Sequence, residues 1–251
     1  MEDQEYLLHA ERIVKEADKE GVLLRLLGSV AFHLHSPRYK SFQKNAGRHF
    51  TDLDFAAYFK HNRGIRCMFE RLGFVENRET AVVYARSRLL FDDPTSDLYV
   101  DVFFDKLDFC HPIPWRGRLE ADSLTLPLSE LLLEKMQIVE INEKDVIDTL
   151  MLLREHPVGS TDKDEINAQR VSELCAGDWG LWRTTTMNLR KVADLSQRYA
   201  WLNQRDRHVI GERIEELLCA IERKPKSLAW RLRGVVGDRV QWYQDVSEVS
   251  Q

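Results

Sequence analysis

The sequence predicts an α+β protein, with a mixed-sheet domain over residues 1–155 followed by a small all-helical domain over 164–245. Two observations predict it. In the first part, short apolar runs alternate with segments of helical period, whereas beyond residue 163 every periodic segment is helical. Between the parts, residues 156–163 read His-Pro-Val-Gly-Ser-Thr-Asp-Lys, which is linker chemistry.

The elements follow in order. Tyr6, Ala10, Ile13, Val14 and Ala17 recur at helical spacing, and Gly21 stands where a C-cap glycine belongs. Residues 22–27 form a short apolar strand running into Gly28-Ser29, and 30–34 open a second helix. Residues 36–49 are polar, with Pro37, Asn45 and Gly47, and predict a long loop. A strand at 53–59, a helix at 65–72 ending at Gly73, and a strand at 81–90 come next, with Asp92-Asp93-Pro94 as a turn. Residues 98–104 carry the clearest strand pattern. A last strand is expected at 124–128, then a helix over 130–139 with Ser129 as N-cap and another from Asn142 to Arg154. The second domain is expected to hold helices at 166–175, 179–201, 207–223 and 228–243.

Composition narrows the class. A chain of 251 residues with 43% hydrophobic and 31% charged residues predicts a folded protein with a well-solvated surface. The first twenty residues are studded with acids, which excludes the apolar core of a signal peptide, and no transmembrane run is present, so no membrane partner is expected. Cys67, Cys110, Cys175 and Cys219 form no Cys-x-x-Cys pair, which argues against a zinc knuckle or a disulfide framework. A reduced, cytoplasmic protein is expected. The net charge of −5 gives no overall attraction to nucleic acid, yet residues 183–239 hold thirteen Lys/Arg against seven Asp/Glu.

Three features point to chemistry. Asp52 and Asp54, two apart on a strand, project to one face, and such like charges persist either at a solvated strand end or with a cation between them. Asp101 sits inside the best strand, where a carboxylate is costly unless paired or ligated; the alternative is an edge strand facing water. If the two strands are neighbours, three carboxylates share a patch whose hard oxygens suit Mg²⁺ or Mn²⁺. Gly28-Ser29 at a strand-to-helix turn offers free backbone N–H groups to a phosphate, although most such pairs mark ordinary turns.

The order Leu27-Gly28-Ser29, then Thr51-Asp52-Leu53-Asp54-Phe55, then Val100-Asp101-Val102 resembles the three motifs of the polymerase-β-like nucleotidyltransferase superfamily. Arg48 and Thr51, the stretch Leu131 to Lys135 and Lys144-Asp145-Val146-Ile147-Asp148 resemble the branch that includes the AbiEii-type toxins. The likeness covers roughly residues 20 to 155 and departs from the pattern in the longer separation of Gly28-Ser29 from Asp52. The resemblance implies transfer of a nucleotidyl group from an NTP to a hydroxyl acceptor. Asp52 and Asp54 would hold the metal on the triphosphate, and Asp101 would complete a second metal site. Gly28, Ser29, Arg48, Lys135 and Asp148 would serve the nucleotide.

Alternatives stand beside each reading. Lys135 could be an exposed helical lysine, and Asp145 could stabilise its own helix N-terminus. His33 and His35 lack a third ligand for zinc. The tryptophans at 179, 182, 201, 230 and 242 are more often core than a base-stacking platform, and the basic excess either guides an RNA acceptor or solvates helix faces. A non-catalytic nucleotide-binding sensor, one half of a toxin/antitoxin-type protein pair, and a helical interaction protein are the other functional classes.

Overall fold

The computed structural model describes residues 2–77, 84 and 86–245. The chain is an α+β protein with a five-stranded mixed sheet. It forms two compact units. A sheet unit takes the chain up to His35, Gly47–Leu107 and Pro114–Pro127; a helical unit takes Ser36–Ala46, Asp108–Ile113 and the chain from Leu128.

In the sheet unit, α1 (Asp3–Lys19) buries Tyr6, Ala10, Ile13, Val14 and Ala17, the five residues whose spacing predicted it. Gly21 reverses the chain at φ +67°. The fully buried β1 (Leu24–Leu27) then passes directly into α2 (Gly28–His35). Helix α3 (Ser41–Asn45) belongs to the other unit; after it come β2 (Asp52–Ala57), a 3-10 turn (Phe59–His61) and helix α4 (Asn62–Arg71). Strands β3 (Val75–Glu76), β4 (Arg88–Asp92) and β5 (Tyr99–Phe104) complete the sheet in the order β1-β2-β5-β4-β3. β2 and β5 run parallel, and the other neighbours are antiparallel.

One face of β2 and β5 is apolar throughout. Leu53, Phe55, Val100, Val102 and Phe104 are at most 2% exposed, and Phe69 of α4 stacks on Phe91 with centroids 4.3 Å apart. Each such side chain contributes about 2 kcal/mol by leaving water. On the edge strand, buried Arg25 donates from Nε to the carbonyls of Leu119 and Asp122, tying the 114–127 segment to β1.

Several boundaries differ from the sequence expectation. The strand expected at 124–128 is a single parallel bridge of Thr125 to Leu26. Of the strand expected at 81–90, residues 81–83 and 85 lie outside the described residues, and β4 runs on to Asp92. The turn therefore begins at Asp93, whose carboxylate takes the Thr95 N–H and the Thr95 and Ser96 hydroxyls. The loop expected at 36–49 contains α3 (Ser41–Asn45), which buries Phe42 against Trp201, centroids 4.8 Å apart. Its polar composition hid a helix held by tertiary contacts.

The helical unit is built from α5 (Leu128–Met136), α6 (Glu143–Glu155), α7 (Ala168–Gly177), α8 (Trp179–Ser196), α9 (Gln204–Arg223) and α10 (Leu228–Val236). Every residue of α5 is buried. That helix starts at Leu128, directly after Pro127, so Ser129 is not its N-cap; the Ser129 hydroxyl donates to Glu130 at 2.8 Å. α5 and α6 pack against α7, α8 and α9, so the compact division falls at Leu128 and not in the segment 156–163. Within that segment Val158–Gly159 pairs in parallel with Ile166–Asn167. The final helix stops at Val236, short of residue 243, where Gly237 turns to φ +59°. Among the described residues no helix is long and apolar enough to cross a membrane.

Asn142 caps α6 as expected. Its side chain accepts the Asp145 N–H at 3.0 Å while Asp145 accepts the Asn142 N–H at 3.4 Å. Asn142→Ala should therefore destabilise the protein by about 1 kcal/mol, read as a lower urea midpoint with an unchanged slope.

Candidate functional site

The site begins with strand register. Asp54 of β2 is opposite Asp101 of the parallel β5, and Asp52 is opposite Tyr99. Residues in register share a face, and so do residues two apart, so all three carboxylates rise from the same side of the sheet. Asp52 and Asp54 are half-buried near the start of β2, whereas Asp101 is 7% exposed.

Gly28 meets this face from β1. Its φ of +71° is a left-handed conformation, and a Cβ placed there would lie 2.3 Å from Asp54 Oδ2. The Asp54 carboxylate thus occupies the space that any side chain at 28 would fill. Ser29, 8% exposed, lies in the first turn of α2. The strand-to-helix junction and the carboxylate strand are joined at one point.

Asp101 has a partner that sequence reasoning passed over. Arg88 of β4 donates from Nε to Asp101 Oδ2 at 2.6 Å, with Nη2 also on that oxygen, and its guanidinium lies 5.0 Å from the centre of the Phe103 ring. Burial pushes the Asp101 carboxyl up from 3.8 to about 6; Arg88 opposes this and the negative charge of Asp52 adds to it. That rise corresponds to about 3 kcal/mol against the ionised form, so dehydration outweighs the ion pair. Burial also works against the charge of Arg88, but Asp101 and Asp54 hold its pKa above the usual value. The signal for Arg88 was a cation heading the apolar run Leu89-Leu90-Phe91, one strand from an anion inside another apolar run.

Carboxylate oxygens are the hard donors that a divalent cation takes. The second oxygen of Asp101, Oδ1, is buried without any hydrogen-bond partner, an orphan that costs free energy until something ligates it. Asp52 and Asp54 supply further carboxylate oxygens on the same face. As they stand the side chains are not gathered around one point: among the described residues no three His, Cys, Asp or Glu groups are close enough to hold an ion together.

The remaining sequence-predicted residues are as follows. Arg48 is half-buried in the segment leading into β2. Lys135 and Asp148 belong to the helical unit, where Lys135 is buried, not an exposed helical lysine. Its ammonium is 2.9 Å from Glu134, 3.4 Å from Asp145 and 3.7 Å from Asp148. Burial disfavours its charge, but these three carboxylates win and raise its pKa. Asp148, fully buried, also accepts from Gln43 Nε2 of α3 at 3.0 Å. Asp145 serves its helix cap as well as this cluster. His33 packs edge-on against Phe50 and His35 bonds Thr125, so neither ring points to zinc. His111 bonds the Thr184 hydroxyl at 2.8 Å.

Comparison with protein-family models, curated proteins and solved structures gives no match to this chain.

The folded pKa of Asp101 lies above its ordinary value, so the fold favours the protonated form. Its stabilising contribution is complete below about pH 4 and is lost as the pH rises through about 6. A carboxyl-carbon NMR titration should place the Asp101 midpoint near 6. Arg88→Ala should move it higher, and a midpoint that stays put or falls would remove Arg88 as the opposing charge.

Proposed function

We propose that the chain is a metal-dependent nucleotidyltransferase, transferring a nucleotidyl group from an NTP to a hydroxyl on an RNA end, a protein or a small molecule. The observation that carries this reading is the register of Asp54 with Asp101, which puts three carboxylates, one of them with an orphaned oxygen, on one sheet face beside Gly28. The motif resemblance to polymerase-β-like enzymes of the AbiEii-type branch supports it from the sequence side.

Asp52, Asp54 and the free Oδ1 of Asp101 are the residues that would hold Mg²⁺ or Mn²⁺. When bound, such an ion neutralises phosphate charge and lowers the pKa of a coordinated hydroxyl. The chain's own groups do the rest. The N–H groups of the α2 first turn receive phosphate oxygens, with Gly28 permitting their approach, and Arg48 adds a cation. The acceptor oxygen attacks the α-phosphorus, the bond to the bridging oxygen breaks, and pyrophosphate leaves. The acceptor's hydroxyl proton leaves to water, because one oxygen of Asp101 is held by Arg88 and the other is the one that would hold the ion. Lys135 is already the counter-ion of three carboxylates, so the phosphate work in this reading rests on Gly28, Ser29 and Arg48.

A second reading, nucleotide binding without transfer, is favoured by one observation: Arg88 already neutralises Asp101. A single-turnover assay with labelled NTPs, Mg²⁺ and a mixed acceptor pool separates the two. Label transfer that falls by at least about a hundredfold in Asp52→Asn supports the enzyme, whereas tight NTP binding with no transfer supports the sensor. Millimolar Mg²⁺ should also lower the Asp101 titration midpoint, because a bound cation favours the carboxylate.

Gly28→Ala should act on the same site through sterics. The new methyl collides with the Asp54 carboxylate in a backbone conformation unfavourable for alanine, at a cost of about 1–2 kcal/mol in strain alone. Transfer and Mg²⁺ affinity should both drop, as measured by the labelled assay and by calorimetry.

A further inference from the structure

The helical unit contains a groove of about 1030 Å³ that the transferase reading does not use. Helices α8 and α10 and the turn after α10 form its walls. Trp182 and Trp230, both half-buried, meet there edge to face with centroids 5.0 Å apart, and Trp179 stands 5.9 Å from Trp182. Gly234 lets α10 approach this cluster: a Cβ at 234 would lie 3.2 Å from Trp179 Nε1.

The charges around these rings are one-sided. Arg190, Arg231 and Arg239 line the groove, are exposed, and form no ion pair among the described residues. Asp238, the lining carboxylate, is already held by Arg183 at 3.0 and 3.1 Å. Three exposed guanidinium groups therefore line the same groove as the indoles, where Glu222, which accepts the Trp182 Nε1 hydrogen at 3.0 Å, is the carboxylate on the rings themselves.

We infer that this groove is a binding site for single-stranded nucleic acid. Indole faces stack on unpaired bases regardless of sequence, and guanidinium groups take the phosphates between them. An acidic peptide uses the cations but leaves the indoles without a matching surface, so a nucleic acid fits more of the observed chemistry. The excess of basic residues over 183–239 falls partly on this wall, which gives it a place to act. The inference does not rest on the transferase reading, since every group belongs to the helical unit.

The test uses the full-length chain and a labelled oligouridylate of about ten nucleotides. Fluorescence anisotropy should show binding accompanied by quenching of tryptophan emission, with log K falling against log salt at a slope near −2 for three phosphate contacts. The exposed pair R231E and R239E should weaken binding by roughly tenfold or more without changing the far-ultraviolet circular dichroism. The same binding should persist in Asp52→Asn, which separates this site from the carboxylate face. No binding, binding unchanged by the charge reversals, absence of tryptophan quenching, or equal displacement by polyglutamate overturns the inference.

Discussion

Like charges on one sheet face are the constraint around which the sheet unit is arranged. A carboxylate in the middle of a buried strand loses its water, and two more acids on the neighbouring strand make its ionised form worse still. The chain meets this with a single guanidinium from the opposite neighbour, β4, which satisfies one oxygen of Asp101 and leaves the other without a partner. Parallel pairing of β2 with β5 matters because it sets Asp54 opposite Asp101; a slip of one residue would turn Asp101 away from Asp54. The close approach of Gly28 to Asp54 then fixes where α2 begins relative to that face.

The helical unit solves a related problem differently. Its ionic groups are gathered into tight sets away from water: Lys135 with Glu134, Asp145 and Asp148, Glu130 with Arg170, and Arg154 with Asp206. Burying such pairs yields little net stability, but removing one partner strands a charge, so they select one arrangement of helices over others. The segment after α2 joins the same network through Arg38 on Glu155 and Gln43 on Asp148. The long separation between Gly28-Ser29 and Asp52 is thus occupied by a helix with its own packing role.

Much of this was legible from the sequence where local pattern and tertiary environment agree. The spacing of Tyr6, Ala10, Ile13, Val14 and Ala17 named the buried face of α1, because a helix on a sheet can hide only one stripe. Asn142 announced a cap that needs nothing beyond its own turn. Legibility failed where an element exists only through distant contacts. Helix α3 is short and polar and is held by Trp201 and Asp148; the strand expected at 124–128 survives as one bridge to β1. For Lys135 the alternative of an exposed helical lysine fails, since helical spacing says nothing about a helix buried on every side.

The sequence by itself determined the α+β class, the shared face of Asp52 and Asp54, and the glycine at the strand-to-helix junction, since these follow from backbone periodicity and the absence of a Cβ. Only the tertiary structure decided that β2 lies parallel to β5 with Asp54 opposite Asp101, that Arg88 reaches Asp101, and that Lys135 neutralises carboxylates inside its own unit. Strand order, register and ion pairing join residues far apart along the chain, and the free energies that choose among them arise from burial and charge once the chain has closed on itself.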